Sequence, residues 1–405
     1  MGLSRGLRRG GEARLIGTSL GLGGARVLVL GASGFLGGRL VERLVADRGA
    51  LVRMLVRRVA TGVPAVRFPV EVRVADLLDT TAVARAMTGC DVVFNCAKGT
   101  GRDAGRRTAV DVDAAGQVVE SASRAGARVV HVSTFAVYDL PSDGEVDEST
   151  PDAPRGDPYA DGKRAGERLA LETGRRLGVP VTVIQPTVVY GPRAGVHAAD
   201  ILEEMRTGKV VLVNGGAGIC NAVFVDDVVT ALLLAAETER GAGERLLVSG
   251  AEHPTWAEFF GAFERMVGGE ATVSMTEAEA LELWRRSRRR SWLLPETLKL
   301  LREDAGLRKR LLGTREAVAL RGAAQRLVPG VLRSAEQRVA AATKPAGRSE
   351  RGPLPSRPWL VRYLAKRARV RIHKARELLG YEPAFGLEAG MKLTEQWARW
   401  AGLTG

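Results

Sequence analysis

The sequence predicts an α/β fold in which a doubly wound parallel sheet is covered by helices on both faces. Short apolar runs alternate with longer helical stretches, and the first run is branched and bounded by glycine. The predicted strands are residues 27–30, 51–56, 70–74, 91–95, 128–132, 181–184 and 245–248. The predicted helices are residues 34–47, 79–87, 108–125 and 159–176.

A glycine-rich turn follows the first predicted strand. Gly31, Gly34 and Gly37 have the spacing G-x-x-G-x-x-G and lie between this strand and the next helix. Gly31 allows the tight turn, Gly34 lets the backbone approach a pyrophosphate, and Gly37 permits close packing of helix on strand. Phosphates would bind the free amides at the start of the helix. Strand, glycines and helix in this order predict a Rossmann-type, dinucleotide-binding domain, with Ser33, Phe35 and Leu36 also at the cofactor.

The end of the second predicted strand bears on the choice of cofactor. Arg57 and Arg58 stand where an acidic residue would bind the ribose 2′-hydroxyl of NAD. Arginine suits a 2′-phosphate instead, so the sequence favours NADP over NAD. The alternative is that both arginines only end a surface strand.

Further loops are expected at the cofactor because an open α/β sheet binds ligands at the carboxyl ends of its strands. Asp76, after the third strand, would lie near the adenine, and residues 95–99 would pass beneath the sugar and phosphates. The residues predicted to bind cofactor in these loops are Asp76, Leu77, Asn95, Ala97, Lys98, Pro186 and Val188.

Two pairs of residues predict acid/base chemistry beside the cofactor. Lys163 is the fourth residue after Tyr159, so the two share one face of a helix. A tyrosine titrates near pH 10 in water, and a neighbouring ammonium with an oxidised nicotinamide would lower its pKa. Thr134, or its neighbour Ser133, would hydrogen-bond the substrate oxygen while Tyr159 gives or takes its proton. Lys163 would also hold the nicotinamide ribose.

With these motifs, the chain resembles extended short-chain dehydrogenases/reductases of the NAD-dependent epimerase/dehydratase family. The resemblance covers residues 26–95, 129–192, 223–229 and 372–400. In that family the active serine or threonine lies four residues before the tyrosine of a V-Y-G element, which here gives Thr134 before Tyr138. The resemblance implies redox chemistry at a secondary alcohol or ketone, most often of a nucleotide-linked sugar, by epimerisation or reduction.

The resemblance also implies a substrate cavity, and the chain departs from the family there. Phe135 follows Thr134 where dehydratases carry an acidic pair, which makes dehydration a poor expectation. Residues 218–221 lack the arginine that pairs with a sugar nucleotide's diphosphate, so Arg193 or one of the C-terminal arginines would have to replace it. The predicted substrate-binding residues are Lys98, Phe135, Gln185, Tyr190, Arg193 and Asn221. Two alternatives therefore stay open: a ketoreductase of a steroid, polyketide or lipid-linked substrate, and a non-catalytic NADP-binding scaffold.

The length of 405 residues suits one enlarged enzyme or two joined domains. The Rossmann-type domain is predicted at residues 25–184 with 223–250, and a smaller C-terminal substrate domain at residues 185–222 with 251–405. Residues 1–24 are interpreted as a flexible extension. Three cysteines and four histidines have no metal-ligand spacing, so neither a disulfide framework nor a metal is expected. Reduced cysteines and the absence of an 18-residue apolar stretch predict a cytoplasmic protein.

Positive charge is concentrated in one part of the chain. Between Arg285 and Arg376 there are 26 Lys+Arg against 6 Asp+Glu, and the rest of the chain is net negative. A basic helical insertion is predicted at about residues 277–369, outside the family resemblance. It could be a solvated helical cap, an element that touches an anionic membrane surface or a lipid substrate, or, less in keeping with its composition, a nucleic-acid contact. The resemblance further implies a homodimer through the helices at 108–125 and 159–176.

Overall fold

The computed structural model describes residues 21–62, 67–152, 154, 156–291 and 352–404. Its strands are β1 Arg26–Leu30, β2 Leu51–Val56, β3 Glu71–Val74, β4 Val92–Asn95, β5 Arg128–Val132, β6 Glu145–Val146, β7 Val181–Pro186, β8 Val188–Tyr190, β9 Val210–Val213, β10 Ala222–Phe224, β11 Arg245–Val248, β12 Thr272–Met275 and β13 Arg369–Val370.

Helices occupy most of the intervening sequence. They are α1 Phe35–Ala46, α2 Val59–Gly62, α3 Thr80–Met87, α4 Ala104–Thr108, α5 Ala114–Ala125, α6 Pro158–Leu177, α7 Asp200–Thr207, α8 Val225–Glu237, α9 Trp256–Val267, α10 Glu277–Ser291, α11 Pro358–Leu364, α12 His373–Leu379 and α13 Leu387–Trp400. Two π-helical turns, Ala109–Asp113 and Gly195–Ala199, and two 3-10 turns, Phe135–Val137 and Asn214–Gly216, complete them.

A parallel sheet of seven strands forms the centre of the molecule, in the order β11-β7-β5-β4-β1-β2-β3. Each predicted strand is present within two residues of its expected bounds, and the α/β fold class is confirmed. The chain builds outward from β1 in both directions, so the topological switch point lies between β1 and β4. Ligands of such sheets bind in the crevice at this point, beyond the carboxyl ends of the strands.

Helices cover both faces of this sheet, as expected for parallel strands that are buried on both sides. On one face, α1, α8 and α12 pack through residues such as Leu44, Leu232 and Leu379. On the other face, α3, α5 and α6 pack through residues such as Met87 and Val119. The sheet is therefore covered by helices on both faces, and its strand ends hold the nearby loops in fixed positions.

The predicted helix at residues 108–125 begins earlier and changes geometry. Asp103 caps α4 by accepting a hydrogen bond from the Arg106 amide at 3.1 Å, so the helix starts at Ala104. The chain then passes through the π turn Ala109–Asp113 before α5. Side-chain preferences alone predict only a helix here.

A third hydrophobic cluster lies beside the sheet and is built mainly from the C-terminal part of the chain, together with buried residues between 135 and 146. It contains residues of α7, α9, α11 and α13 and of the two-stranded pairs β8–β10 and β9–β12. The short strand β13 pairs with β6 and ties the end of the predicted insertion to the body. The exact domain boundaries stay a prediction, and most of the insertion, residues 292–351, lies outside the described residues. Among the described helices none is both long and apolar enough to cross a membrane.

Candidate active site

Tyr159 lies in the first turn of α6, and its position is fixed by the residues before it. The Asp157 side chain caps the helix by accepting hydrogen bonds from the amides of Tyr159 and Ala160 at 2.8 and 3.2 Å. Pro158 occupies the first helical position, where its missing amide hydrogen costs nothing. Tyr159 as a whole residue is 37% exposed, and its hydroxyl end is the more buried part of the side chain.

Lys163 lies one turn further along the same helix and is almost wholly buried. Its ammonium donates to the carbonyl oxygens of Ala97 at 3.0 Å and Val132 at 3.3 Å, at the ends of β4 and β5. The Oδ1 atom of Asp111 lies 3.4 Å away. Burial lowers the pKa of Lys163 below its ordinary value, and Asp111 opposes this by favouring the charged form.

Thr134 is the second residue after the end of β5, and its side chain faces Tyr159. Its hydroxyl caps the 3-10 turn Phe135–Val137 by accepting from the Ala136 amide at 3.3 Å. Burial raises the pKa of Tyr159, and the hydrogen bond with the Thr134 side chain acts in the opposite direction. The sequence expectation that Lys163 lowers this pKa stays a prediction for the cofactor-bound protein. Ser133 is buried behind Thr134, where its hydroxyl faces Glu167.

The glycine turn is packed so closely that side chains at Gly31 and Gly37 would clash with nearby backbone atoms. Gly31 has φ of +74°, and a Cβ there would lie 2.7 Å from the backbone of Cys96. A Cβ on Gly37 would lie 2.4 Å from the Gly31 carbonyl oxygen, because α1 packs directly on the turn. Gly34 is the N-cap of α1 and provides no side-chain cap, which leaves the first amides of the helix to other partners. This geometry fits a dinucleotide pyrophosphate.

The other residues predicted at the cofactor surround this turn. Arg57 and Arg58 are exposed directly after β2. Asp76 accepts from the Leu78 amide at 3.0 Å and forms an ion pair with Arg106. The structure places the remaining predicted residues as follows: Leu77 packs partly buried under the sheet, Phe35 and Leu36 lie at the start of α1, Pro186 ends β7 and Val188 begins β8.

The loop after β4 runs between the glycine turn and Tyr159. The Asn95 side chain is buried, contacts the Nδ1 atom of His131 at 3.2 Å and accepts from the Ala97 amide at 3.3 Å. Burial lowers the pKa of His131 to about 3, so this histidine is neutral. Lys98 is exposed and its ammonium lies 4.5 Å from the centre of the Tyr159 ring. Lys98 is therefore the cation nearest the open side of the site among the predicted residues.

Three predicted substrate residues are packed into the protein interior. Gln185 is fully buried; its Oε1 atom accepts from the Tyr138 hydroxyl at 2.8 Å and its Nε2 atom donates to Glu167 at 2.9 Å. Tyr190 is buried edge-on against Phe224 and Phe259. Phe135 follows Thr134 and its ring centre lies 6.2 Å from that of Tyr363. Of these three residues, Phe135 is the one next to a catalytic residue in the sequence, because it follows Thr134 directly.

Asn221 and Arg193, both predicted at the substrate, lie in different surroundings, and their substrate contacts stay a prediction. The Asn221 side chain is 1% exposed and bridges two backbone groups, donating to the Ala368 carbonyl at 2.9 Å and accepting from the Val370 amide at 3.0 Å. Arg193 has φ of +70° and shares a small cleft with Ser33, and its guanidinium lies 3.7 Å from Glu42. Arg193 is thus beside the cofactor turn.

Replacing Asn221 with alanine should lower the free energy of unfolding by about 2 kcal/mol, because two buried backbone groups lose their partners. Asn214→Ala is the matched control. Asn214 also has a positive φ, but its side chain is exposed and accepts one hydrogen bond, from the Glu277 amide at 3.2 Å. Urea unfolding of both variants checks this, and equal losses would mean that backbone strain alone explains the effect.

Sequence reasoning missed a buried charged network behind the catalytic hydroxyls. Glu167 is fully buried and lies 3.2 Å from Arg245, which also pairs with Asp152. Burial raises the pKa of Glu167, and contacts with Ser133, Gln185 and Arg245 lower it. Glu167 follows Lys163 by four residues, so the spacing that revealed Tyr159 and Lys163 could have revealed it as well.

Comparison with known proteins agrees with this geometry. The model of the NAD dependent epimerase/dehydratase family matches residues 27–249. A farnesylated dihydroquinoline-oxide ketoreductase from Stigmatella aurantiaca is 31% identical over 236 residues, covering 56% of this chain and 69% of the relative. A UDP-glucose 4-epimerase from Mycolicibacterium smegmatis is 32% identical over 264 residues, covering 60% and 83%.

A similar fold is found among solved structures. The UDP-glucuronic acid 4-epimerase from Bacillus cereus, in complex with UDP-glucuronic acid and NAD, aligns with a TM-score of 0.63 at 17% identity, over 93% of this chain and 99% of that one. The resemblance inferred from the sequence motifs is confirmed. The chain belongs to the NAD dependent epimerase/dehydratase family and is an NAD-dependent enzyme of the oxidoreductase type.

Proposed function

We propose that this enzyme interconverts a ketone and a secondary alcohol on a substrate with a large apolar part. The observation that carries the proposal is the buried aromatic cluster that begins at Phe135, the residue after Thr134. Phe135 follows Thr134 and contacts Tyr363, which in turn lies with its ring centre 5.6 Å from that of Trp256. An aromatic wall of this kind suits a hydrophobic substrate.

The segment before β10 supports the same proposal. The residues in this segment include Cys220 and Asn221, neither of which carries a positive charge that could pair with a diphosphate. Cys220 is also fully buried, and the Asn221 side chain is bonded to the backbone of the C-terminal segment. Arg193, the predicted replacement, lies at the cofactor turn beside Glu42. A nucleotide diphosphate would therefore lack the arginine partner that the family resemblance leads one to expect at residues 218–221.

The mechanism follows from the positions of three side chains. Tyr159 gives a proton to the ketone oxygen during reduction, or takes one from the alcohol during oxidation. Thr134, which is hydrogen-bonded to Tyr159, holds the same substrate oxygen. Lys163 lies at the ends of β4 and β5, where it can hold a ribose hydroxyl and favour the phenolate form of Tyr159. The nicotinamide, when bound, supplies or accepts hydride.

Arg57 would make NADP the preferred cofactor. Arg57 lies directly after β2. Its positive charge helps to lower the pKa of Asp76, after the larger contributions of the Leu78 amide and Arg106. Arg106 pairs with Asp76, which reduces the repulsion that this carboxylate would exert on a phosphate. Arg57→Asp should therefore weaken NADP relative to NAD by about tenfold or more. Calorimetric titration with both cofactors checks this, and an unchanged ratio would make Arg57 a surface residue only.

The proposed substrate class is tested with NADPH-loaded protein and a series of 2-alkanones of increasing chain length. If the alkyl chain is buried on the aromatic wall, kcat/KM should rise about fourfold per added methylene until the wall is covered. The rate of NADPH oxidation is measured by absorbance at 340 nm. In Phe135→Ala, kcat/KM should rise less steeply with the length of the alkyl chain. Rates that do not depend on chain length would contradict the proposal.

A second candidate, nucleotide-sugar epimerisation, is supported by the UDP-glucose 4-epimerase relative. Titration of the loaded protein with UDP, GDP, ADP and dTDP separates the two. Saturable binding of one of them would favour the sugar nucleotide and name its base. The predicted homodimer and the predicted membrane contact of the basic insertion stay predictions, the latter because it concerns residues outside those described.

A further inference from the structure

Asp111 is a buried carboxylate that neither the glycine turn nor the catalytic motif accounts for. It lies in the π turn Ala109–Asp113 and is 6% exposed. Its Oδ1 atom is 3.4 Å from the Lys163 ammonium and accepts a hydrogen bond from the Gly99 amide at 3.1 Å. A buried charge needs a partner, and this pair supplies one for both residues.

The backbone around Asp111 is shaped to bring it to Lys163. A Cβ on Gly166 would lie 2.0 Å from the Asp111 carbonyl oxygen, so only glycine allows α6 to approach the π turn so closely. A Cβ on Gly162 would lie 3.6 Å from the Asp111 Cβ atom, an ordinary contact. Gly162 and Gly166 flank Lys163 on α6, and together with the wide turn they place a carboxylate at its ammonium.

Asp111 also holds the loop that carries Lys98. The Gly99 amide donates a hydrogen bond to Asp111, and this bond holds Gly99 in place. Lys98 precedes Gly99, and the Lys98 ammonium lies over the Tyr159 ring. A Cβ on Gly99 would lie 2.8 Å from Asp111 Oδ2 and 2.5 Å from the Arg107 carbonyl oxygen. One carboxylate thus contacts both the buried lysine and the loop next to the tyrosine.

The surroundings of Lys163 leave Asp111 as its source of negative charge among the described residues. Burial lowers the pKa of Lys163, and the nearby cation Lys98 acts in the same direction. Cys96 is partly buried, and desolvation raises its pKa to about 12, so it stays a thiol at neutral pH. The groups that face Lys163 from the packed elements are Asp111, Lys98, Cys96, His131 and the carbonyl oxygens of Ala97 and Val132.

We propose that Asp111 is a positioning residue whose carboxylate keeps the Lys163 ammonium charged while Tyr159 exchanges its proton. The proposal rests on the proposed roles of Tyr159 and Lys163 and adds the group on which they depend. Without Asp111 the buried ammonium loses its proton before Tyr159 does, and the phenolate then loses its cation.

The protein offers a direct measurement, because its five tyrosines differ sharply in environment. Burial raises the pKa values of Tyr138, Tyr190, Tyr363 and Tyr381 above the ordinary value of a tyrosine. In full-length, NAD-loaded protein, the step in phenolate absorbance at 295 nm that is lost in Tyr159→Phe therefore belongs to Tyr159. Absence of such a step would contradict the acid/base role of Tyr159 itself.

The test of Asp111 compares Asp111→Asn in two backgrounds. Asparagine keeps the acceptor for the Gly99 amide and removes only the charge. With Lys163 present, loss of the charge should raise the Tyr159 pKa by about one unit, because the lysine is no longer held charged. In a Lys163→Met background the same change should lower the Tyr159 pKa, because Asp111 then acts on the phenolate only by direct repulsion.

The reversal of sign is the result that the proposal requires. If Asp111→Asn lowers the Tyr159 pKa in both backgrounds, while the Tyr159 step itself is present, Asp111 does not act through Lys163 and the proposal is wrong. Asp111→Glu provides a second variant should asparagine prevent folding. It keeps the negative charge and should leave the Tyr159 pKa unchanged, whereas a rise would equally overturn the proposal.

Discussion

Replacing Tyr159 with phenylalanine should abolish turnover by the NADPH-loaded enzyme while leaving cofactor affinity at the wild-type value. The substitution removes only the hydroxyl that is hydrogen-bonded to Thr134. It leaves the ring beneath Lys98 and the glycine turn unchanged. Loss of a general acid lowers kcat by about 100-fold to 10,000-fold. Stopped-flow oxidation of NADPH and calorimetric titration of the cofactor measure the two quantities separately.

Tyr381→Phe is the matched control for this substitution. Tyr381 is fully buried, and its hydroxyl donates to the Ser249 carbonyl oxygen at 3.0 Å, away from the catalytic hydroxyls. It should lower stability by about 1 kcal/mol and leave kcat unchanged. Retained turnover in Tyr159→Phe would show that another group moves the proton. If the wild-type protein itself turned over no ketone, the alternative of a non-catalytic, NADP-binding scaffold would be favoured instead.

Gly37→Ala should weaken cofactor binding by about tenfold or more and lower stability by about 2 kcal/mol. The added Cβ would lie 2.4 Å from the Gly31 carbonyl oxygen and 2.9 Å from its carbonyl carbon. Relief of that contact requires α1 to move away from the turn, and the amides at its start then move away from the pyrophosphate. Quenching of protein fluorescence by NADPH and thermal unfolding measure both effects.

Gly38→Ala tests whether the effect belongs to this position or to any change in α1. A Cβ on Gly38 would lie 3.4 Å from the nearest atom, the Ala32 carbonyl oxygen, which is an ordinary contact. Replacing a helical glycine without a clash stabilises a protein by roughly 0.5–1 kcal/mol. Cofactor affinity should stay at the wild-type value. Equal weakening in both variants would contradict the predicted role of Gly37.

The parts of the fold that the sequence predicted are those set by local pattern. Branched apolar runs such as residues 128–132 are long enough to specify a buried strand, and observed β5 matches that range. Tyr159 and Lys163 could be paired because both lie on one helix, whose geometry fixes their spacing. Thr134 was located only through the family element around Tyr138, since a strand end alone does not distinguish it from Ser133.

The parts that were not predicted depend on contacts between distant residues. Asp111 and Lys163 are 52 residues apart, and their meeting requires a π turn that no residue preference specifies. Gln185 and Asn221 were expected at the substrate from their place in the chain. Their side chains are instead fully committed to hydrogen bonds within the protein, because sequence position near a site does not fix the direction of a side chain.

The two ends of the long basic insertion are anchored next to each other. Helix α10, where the chain leaves the body, contacts α11, where it returns, and both contribute residues to the same hydrophobic cluster. Both helices hold their positions through this cluster, so their contact does not depend on the sequence that joins them. A change in the length of the joining sequence is therefore expected to reach the site only through α11, whose Tyr363 packs against Phe135.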